Sequence, residues 1–373
     1  MNIAIPLLKV HMPAAAHAAL KSTLESGYIA HGALVAQFEH ALAAYTGNER
    51  VCAISEVSGA LTLALFMAGV QPGDEVIVSP MVCLATSMPI ANLHARPVWC
   101  DVNPATGMLD PARIADLVTP RTRAILAAHW SGDVADLHTL QQAAHTHGLR
   151  LIEDASEAFG AEYRGVRLGN HGSDFCVYSF SAARQITAGD GAALFCASAG
   201  DHEQACRLRH YGIDQPNFRL PGGDLNPDSD IAVSGFNYRM NNITATIGLA
   251  QFPLVDELVT RQRANGRYFD RALAGTSGAT LLARRADAVS GYWTYSLRAE
   301  RRADLLRKLL DHGIGCQRLH LRNDHYSCFA HLRRDDALPG VDLFDRENLS
   351  IPCGWWLSRE ERERIVACIR SGW

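Results

Sequence analysis

Lysine is almost missing. Only Lys9, Lys21 and Lys308 occur among 35 basic residues in a chain of 373, so any chemistry that needs a side-chain amine has three candidates. Positive charge is in no surplus either: 35 Lys and Arg face 39 Asp and Glu, for a net charge of −4. With no basic excess to neutralise a phosphate backbone and no Lys/Arg run to grip anionic lipid, neither nucleic acid nor a membrane surface is an expected partner. No uncharged apolar run reaches the roughly 18 residues of a membrane span. The first ten residues lack the basic start and apolar core of a secretory leader, and the expected location is the cytoplasm. The ten cysteines contain no C-x-x-C pair, and several sit in apolar runs such as Val51-Cys52-Ala53 and Phe195-Cys196-Ala197. They read as free thiols in a reducing compartment, with neither zinc nor disulfides implied.

What is present is substantial apolar content, 48% of residues, enough for large cores. At about 100–200 residues per domain, two or three domains are expected. From residue 48 onward, helical stretches alternate with short β-branched runs: a helix over 60–68, a strand over 75–78, a helix near 84–93, a strand over 96–102, a helix after Asp110-Pro111, a strand over 123–128, a helix over 137–147 and a strand over 150–153. Such alternation predicts a mostly parallel sheet covered by helices on both faces, with ligands at the carboxyl ends of its strands. A long helical pattern over 242–273 should be kinked or broken by Pro253. Beyond it the pattern predicts a strand over 292–298, a helix over 302–312 and a last helix from Ser358. The expected division is a large domain over 1–255 and a small C-terminal domain over 256–373.

One stretch, Leu151-Ile-Glu-Asp154-Ala-Ser-Glu-Ala-Phe-Gly-Ala161, puts a carboxylate directly after an apolar strand. Downstream come Gly172-Ser-Asp-Phe-Cys-Val-Tyr-Ser-Phe180 and Ser181-Ala-Ala-Arg184-Gln-Ile-Thr-Ala-Gly-Asp-Gly191. Together with Pro72-Gly-Asp-Glu75, the Ala-Thr pair at 85–86, Arg207-Leu-Arg-His-Tyr-Gly212 and Phe236-Asn-Tyr-Arg-Met240, these motifs resemble the DegT/DnrJ/EryC1/StrS family of sugar aminotransferases. The resemblance runs from about residue 4 to the C-terminus. It implies an α/β, fold-type-I aminotransferase-like architecture: a large domain with a seven-stranded mostly parallel sheet, a small C-terminal α+β domain, and a homodimer with shared active sites. Ordinary members use pyridoxal phosphate, tethered to a lysine as a Schiff base, to move an amino group onto a nucleotide-linked keto-sugar.

Carried over position by position, the resemblance divides. Asp154 matches the partner of the pyridine nitrogen, Ser179 the phosphate-binding hydroxyl, and Asn237 the asparagine lent by the neighbouring subunit. The lysine position is Arg184, the aromatic position is Cys83, the phosphate-binding Gly-Thr is Val57-Ser58, and the usual Gln or His after Asp154 is Glu157. Arginine stays protonated far above neutral pH, so it neither forms a Schiff base nor accepts a proton.

Three readings follow from that exchange. A single lysine-to-arginine trap would leave the surrounding pocket intact, which the changes at Val57, Cys83 and Glu157 contradict. A non-catalytic binding or scaffold homologue would shed polar residues at random, whereas Asp154, Ser179 and Asn237 persist and Glu157 and Arg184 add charge. The leading expectation is an atypical enzyme of nucleotide-sugar or secondary-metabolite biosynthesis that works without a covalent tether and holds pyridoxal or pyridoxamine phosphate, if at all, noncovalently. A dehydratase or transaminase-type enzyme using the amine form of the cofactor is a variant of this reading. The expected proton-transfer candidates are Glu157, His129 and His210. Asp154, Ser179, Ser58 and Asn237 would bind the cofactor, while Arg184, Cys83, His320 and Asn323 would line the place of an anionic small molecule or nucleotide-sugar. Arg184 would grip its carboxylate or phosphate by a planar fork. A purely structural Glu157–Arg184 ion pair, an Asp154 that only caps a helix, and a Cys83 that only packs are the plain alternatives.

Overall fold

A computed structural model of the chain describes residues 3–332 and 337–373. Its main sheet has seven strands: β1 Val51–Ile54, β2 Glu75–Val78, β3 Arg96–Trp99, β4 Thr122–Ala128, β5 Arg150–Asp154, β6 Phe175–Ser179 and β7 Ala192–Cys196. They lie in the order β1-β7-β6-β5-β4-β2-β3. Only β7 runs against its neighbours; the pairings from β6 through to β3 are parallel. Strands β1, β2, β6 and β7 are buried along their whole length, as strands rich in apolar residues are when helices cover both faces. Helix Val57–Met67, with Gly59 to Leu65 all buried, is apolar around its circumference and sits inside the domain rather than on its surface.

The expected break at Pro253 is present. Helix Asn242–Gln251, capped by the Asn241 side chain, passes through a 3-10 turn at Phe252–Leu254 into helix Val255–Ala272. The C-terminal part builds an antiparallel sheet from Ala279–Leu281, Tyr295–Ala299 and Asn348–Ile351. Its apolar core includes Phe269, Leu297, Leu349 and Ile365, together with Ile5 from the other end of the chain. Ile5 forms a parallel bridge with Ile314. The last helix, Arg359–Arg370, starts on a capping box between Ser358 and Glu361.

Three elements differ from expectation. The strand predicted over 96–102 stops at Trp99, and Val102–Asn103 pairs instead with Met108–Leu109. After Asp110-Pro111 comes a 3-10 turn and a single helical turn, Ile114–Leu117, rather than a full helix. The strand predicted from 292 begins at Tyr295, because Tyr292 adopts φ 47°, which a strand does not admit. That conformation belongs to a tight junction: at Gly132, with φ +99°, an added Cβ would lie 2.5 Å from the Tyr292 nitrogen and 2.6 Å from that of Trp293. The two backbones can touch only because position 132 has no side chain.

Candidate active site

The carboxyl ends of β2, β4, β5 and β6 open onto one narrow cleft, lined by Cys83, Thr86, His129, Trp130, Asp154, Glu157, Arg184 and His320 among others. Asp154, the last residue of β5, is buried and aimed by two donors: the Thr86 hydroxyl at 2.5 Å on one oxygen and the Ser156 amide at 3.0 Å on the other. It caps no helix. Its Ser156 bond is a local turn of the kind an Asp makes directly after a strand.

Glu157 gathers the cleft's polar groups. Its Oε2 accepts the Ser131 amide at 2.6 Å, its Oε1 lies 2.6 Å from His320 Nε2, and Arg184 Nη1 stands 3.9 Å away. Burial by itself would push this carboxyl up, but His320, Arg184 and the Ser131 N–H together hold it below the usual value. Glu157 is therefore a carboxylate at neutral pH. Its own carbonyl accepts Gln185 Nε2 at 2.7 Å, which ties the segment after β5 to the segment after β6.

Arg184 is 10% exposed at its side chain. Its guanidinium lies 4.3 Å from the centre of the Trp293 ring, and the Trp293 indole donates to the Ala183 carbonyl at 2.7 Å. The Glu157 contact is too long for a hydrogen bond, and Arg184 Nη1 is buried with no hydrogen-bond partner. Cys83 is half-buried at the cleft wall; burial first, then the negative charge of Asp154, pushes its thiol up, so it is a protonated packing group and no nucleophile.

The structure thus brings together Asp154, Glu157, Arg184, Cys83 and His320, with His129 behind them. It corrects several expected roles. His129 is not a free proton carrier, since its Nε2 lies 3.0 Å from Glu153, its Nδ1 accepts the Ala135 amide at 3.1 Å, and the side chain has no exposure. Because Nδ1 accepts, the proton sits on Nε2 and is donated to Glu153. Asn323 is a clamp: its amide nitrogen donates to the Val82 carbonyl and the Ser87 hydroxyl and so fixes the loop that carries Cys83. His210 lies outside the cleft, 2.7 Å from Gln215 and bridged to Asn237. Ser179 is buried at the end of β6 with its hydroxyl 3.2 Å from that of Ser181, and Ser58 lies in the first turn of helix Val57–Met67; neither touches the cleft itself. Among the described residues there is no His/Cys/Asp/Glu cluster suited to a metal ion. No described helix is long and apolar enough to cross a membrane.

Sequence reasoning missed Trp293, the Thr86–Asp154 bond and the Ser131 amide. Thr86 stands in the quoted Ala-Thr pair, and its place at the start of helix Leu84–Asn92, right after a parallel strand, is the signal that could have found it.

A mostly parallel sheet with its cleft at the strand ends, followed by a small antiparallel sheet, defines an α/β protein of the fold-type-I kind. Residues 11–370 match the DegT/DnrJ/EryC1/StrS aminotransferase family, and the chain belongs to it. It is 33% identical over 347 residues to the GDP-perosamine synthase of Caulobacter vibrioides, a match covering 91% of this chain and 90% of that protein. Among solved structures it is similar to the sugar aminotransferase CalS13 from Micromonospora echinospora, at 36% identity and TM-score 0.93 over 99% of this chain and 100% of that one. It is likewise similar to AtS13 from Actinomadura melliaura, at 39% identity and TM-score 0.92 over 99% of each chain.

Proposed function

We propose that the protein is a sugar-aminotransferase-like enzyme of nucleotide-sugar or antibiotic biosynthesis that grips an anionic group with Arg184 and works without a lysine–cofactor bond. Its relatives' names, a GDP-perosamine synthase and a sugar aminotransferase, support the substrate class. The observation that carries the rest is the unpartnered Arg184 Nη1 in the cleft wall. A buried donor left unpaired costs on the order of 1–3 kcal/mol, and an anionic ligand removes that cost.

The donor set fits pyridoxal or pyridoxamine phosphate held noncovalently. Asp154 would offer a carboxylate to a ring nitrogen and Arg184 a cation to a phosphate, whereas Ser179 and Ser58 stand outside the cleft lining. It does not fit an amine-linked cofactor. Lys9 lies over the Trp355 ring, Lys21 pairs with Glu25 at the surface, and Lys308 bonds Ser371 and Gly372. When bound, the group supplies an electron sink for chemistry at a carbon–nitrogen bond.

The chain's own residues supply position and protons. Glu157, an ionised carboxylate that takes hydrogen bonds from the Ser131 amide and His320 and faces the Arg184 charge, orients the imidazole and the guanidinium. His320, packed edge-on against Trp130 with centroids 5.6 Å apart, is the cleft imidazole whose Nδ1 is left to exchange a proton with substrate. Arg184, its guanidinium 4.3 Å from the centre of the Trp293 ring, presents its unpaired Nη1 to the anion. His210 and Asn237, bridged together outside this cleft, are the parts a second copy would lend in a homodimer.

The test is an absorbance spectrum of the purified protein with pyridoxal phosphate, then dialysis, borohydride and intact mass. The expected result is a cofactor signal that dialysis removes and no reduced adduct; a stable adduct on any lysine overturns the reading. Glu157→Gln and His320→Gln should lower turnover of a nucleotide keto-sugar while leaving its affinity within about twofold, less than 0.5 kcal/mol. If wild-type protein binds the nucleotide-sugar but turns it over with no donor, the binding-homologue reading replaces this one.

A further inference from the structure

Where the segment after β4 meets the C-terminal sheet, hydrogen-bonding side chains gather out of reach of solvent: Trp130 and Ser131 from the first, Thr294, Ser296 and Ser350 from the second. Ser131 Oγ lies 3.0 Å from the Thr294 carbonyl oxygen, 2.6 Å from Thr294 Oγ1 and 3.0 Å from Ser296 Oγ. Ser296 Oγ in turn lies 2.6 Å from Ser350 Oγ and 3.2 Å from Trp130 Nε1. A carbonyl oxygen only accepts, so the single hydroxyl hydrogen of Ser131 goes to the Thr294 carbonyl, and the Thr294 and Ser296 hydroxyls must both donate to Ser131. Ser296 has then spent its own hydrogen, and it accepts from Ser350 and Trp130.

The Ser131 hydroxyl is thereby saturated and has nothing left to give a bound molecule. What Ser131 offers the cleft is its backbone, whose N–H donates to Glu157 Oε2 at 2.6 Å. That N–H is aimed by an unusual conformation: Ser131 stands at φ 58° and ψ 18°, in the left-handed region that a residue with a Cβ enters only at a cost. The charged and titratable groups that face Glu157 are Arg184 from the segment after β6 and His320 from the C-terminal part, with Asp154 and Cys83 in the same cleft wall and His129 behind.

We propose that Ser131 is a positioning residue through which the C-terminal sheet sets the Glu157 carboxylate, and with it His320 and Arg184. This rests on the reading of Glu157 given above, as the group that orients those two side chains. Ser350, Ser296 and Thr294 hold the Ser131 hydroxyl, the held hydroxyl keeps the backbone left-handed, and the left-handed backbone points its N–H at Oε2. A displacement of the small sheet against the large one thus reaches the cleft along this chain, although Thr294, Ser296 and Ser350 are no part of the cleft lining.

The test is a titration by nuclear magnetic resonance of the full chain labelled with carbon-13 at its glutamate side-chain carboxyls, the Glu157 signal being the one missing from Glu157→Gln. In the wild type its midpoint should lie below 4.5, the ordinary value for a glutamate. Ser131→Ala and Ser296→Ala should each raise that midpoint by about one pH unit, an acid weaker by about tenfold. Ser131→Gly, which takes the left-handed conformation at no steric cost, should move it by less than about half as much. Ser131→Ala combined with Ser296→Ala should move it no further than Ser131→Ala does, because both act along one path. A midpoint that stays put in folded Ser131→Ala and Ser296→Ala makes the hydroxyls a structural brace and overturns the proposal, as does a Ser131→Gly shift equal to that of Ser131→Ala. If Ser131→Ala does not fold, Ser296→Ala decides alone. The titration needs no turnover, so a shifted midpoint in a protein that converts no nucleotide keto-sugar keeps this role for Ser131 and removes the functional reading.

Discussion

Two arginines of equal burial divide the molecule by what they bond. Arg209, 9% exposed at its side chain, gives its Nη1 to the Glu39 carboxylate and the Ala53 carbonyl, and Glu39 also takes the Ala53 amide. That closed ring covers backbone groups on the outer strand of the sheet, where unpaired N–H and C=O groups would otherwise face open space. Arg184, 10% exposed, rests on an aromatic ring, with Glu157 beyond hydrogen-bond reach and one nitrogen unbonded. Burial alone therefore says little about what a cation is for. The difference lies in whether its hydrogen bonds are closed within the fold or left open toward a cleft.

The contrast can be broken by substitution. Arg209→Ala strands the Glu39 charge and should cost about 3–5 kcal/mol, read by chemical denaturation. Arg184→Ala should leave unfolding free energy within about 1 kcal/mol but weaken an anionic ligand by roughly 10- to 100-fold, measured by calorimetry. If instead Arg184→Ala unfolds the protein and ligand affinity is unchanged, the two arginines do the same job. Gly132→Ala sharpens the comparison from the other side, since it forces apart the segment that presents Trp293 to Arg184; a loss of roughly 1–3 kcal/mol is expected, with weaker ligand binding in the molecules that still fold.

The smallest effect concerns pH. The Glu157 carboxyl is held below its unfolded value of 4.5, so it contributes stability at higher pH that is lost as pH falls through its folded value. Glu157→Gln should therefore flatten the acid limb of a stability-against-pH curve below about pH 4.5 and leave the limb above pH 6 parallel to wild type. An unchanged acid limb would mean that the Glu157 charge is not held by its neighbours.

The alternating apolar runs were enough to place four of the sheet's seven strands and the break at Pro253, because buried strands and a missing N–H leave direct marks in sequence; the count of seven came only from the family resemblance, and Val51–Ile54, Phe175–Ser179 and Ala192–Cys196 went unplaced. Strand-end logic marked Asp154, and the family resemblance, carried over position by position, brought Glu157 and Arg184 to the same site. What neither could reveal were bonds between distant segments. Asn323 reaches back to the loop before helix Leu84–Asn92, and Trp293 arrives under Arg184 only because Tyr292 takes a left-handed conformation against Gly132. His129 stood open between proton carrier and positioning donor for the same reason: residue type is visible in sequence, whereas the Ala135 amide and Glu153 that occupy its two nitrogens are not.

Trp293 holds Arg184 at two points, its ring face under the guanidinium and its indole N–H on the preceding carbonyl. A cation tethered at both tip and base has little freedom to follow an incoming molecule. Entrants are then sorted by where they carry their acid group, and positional isomers of equal size and charge should differ in residence time far more than on a mobile lysine.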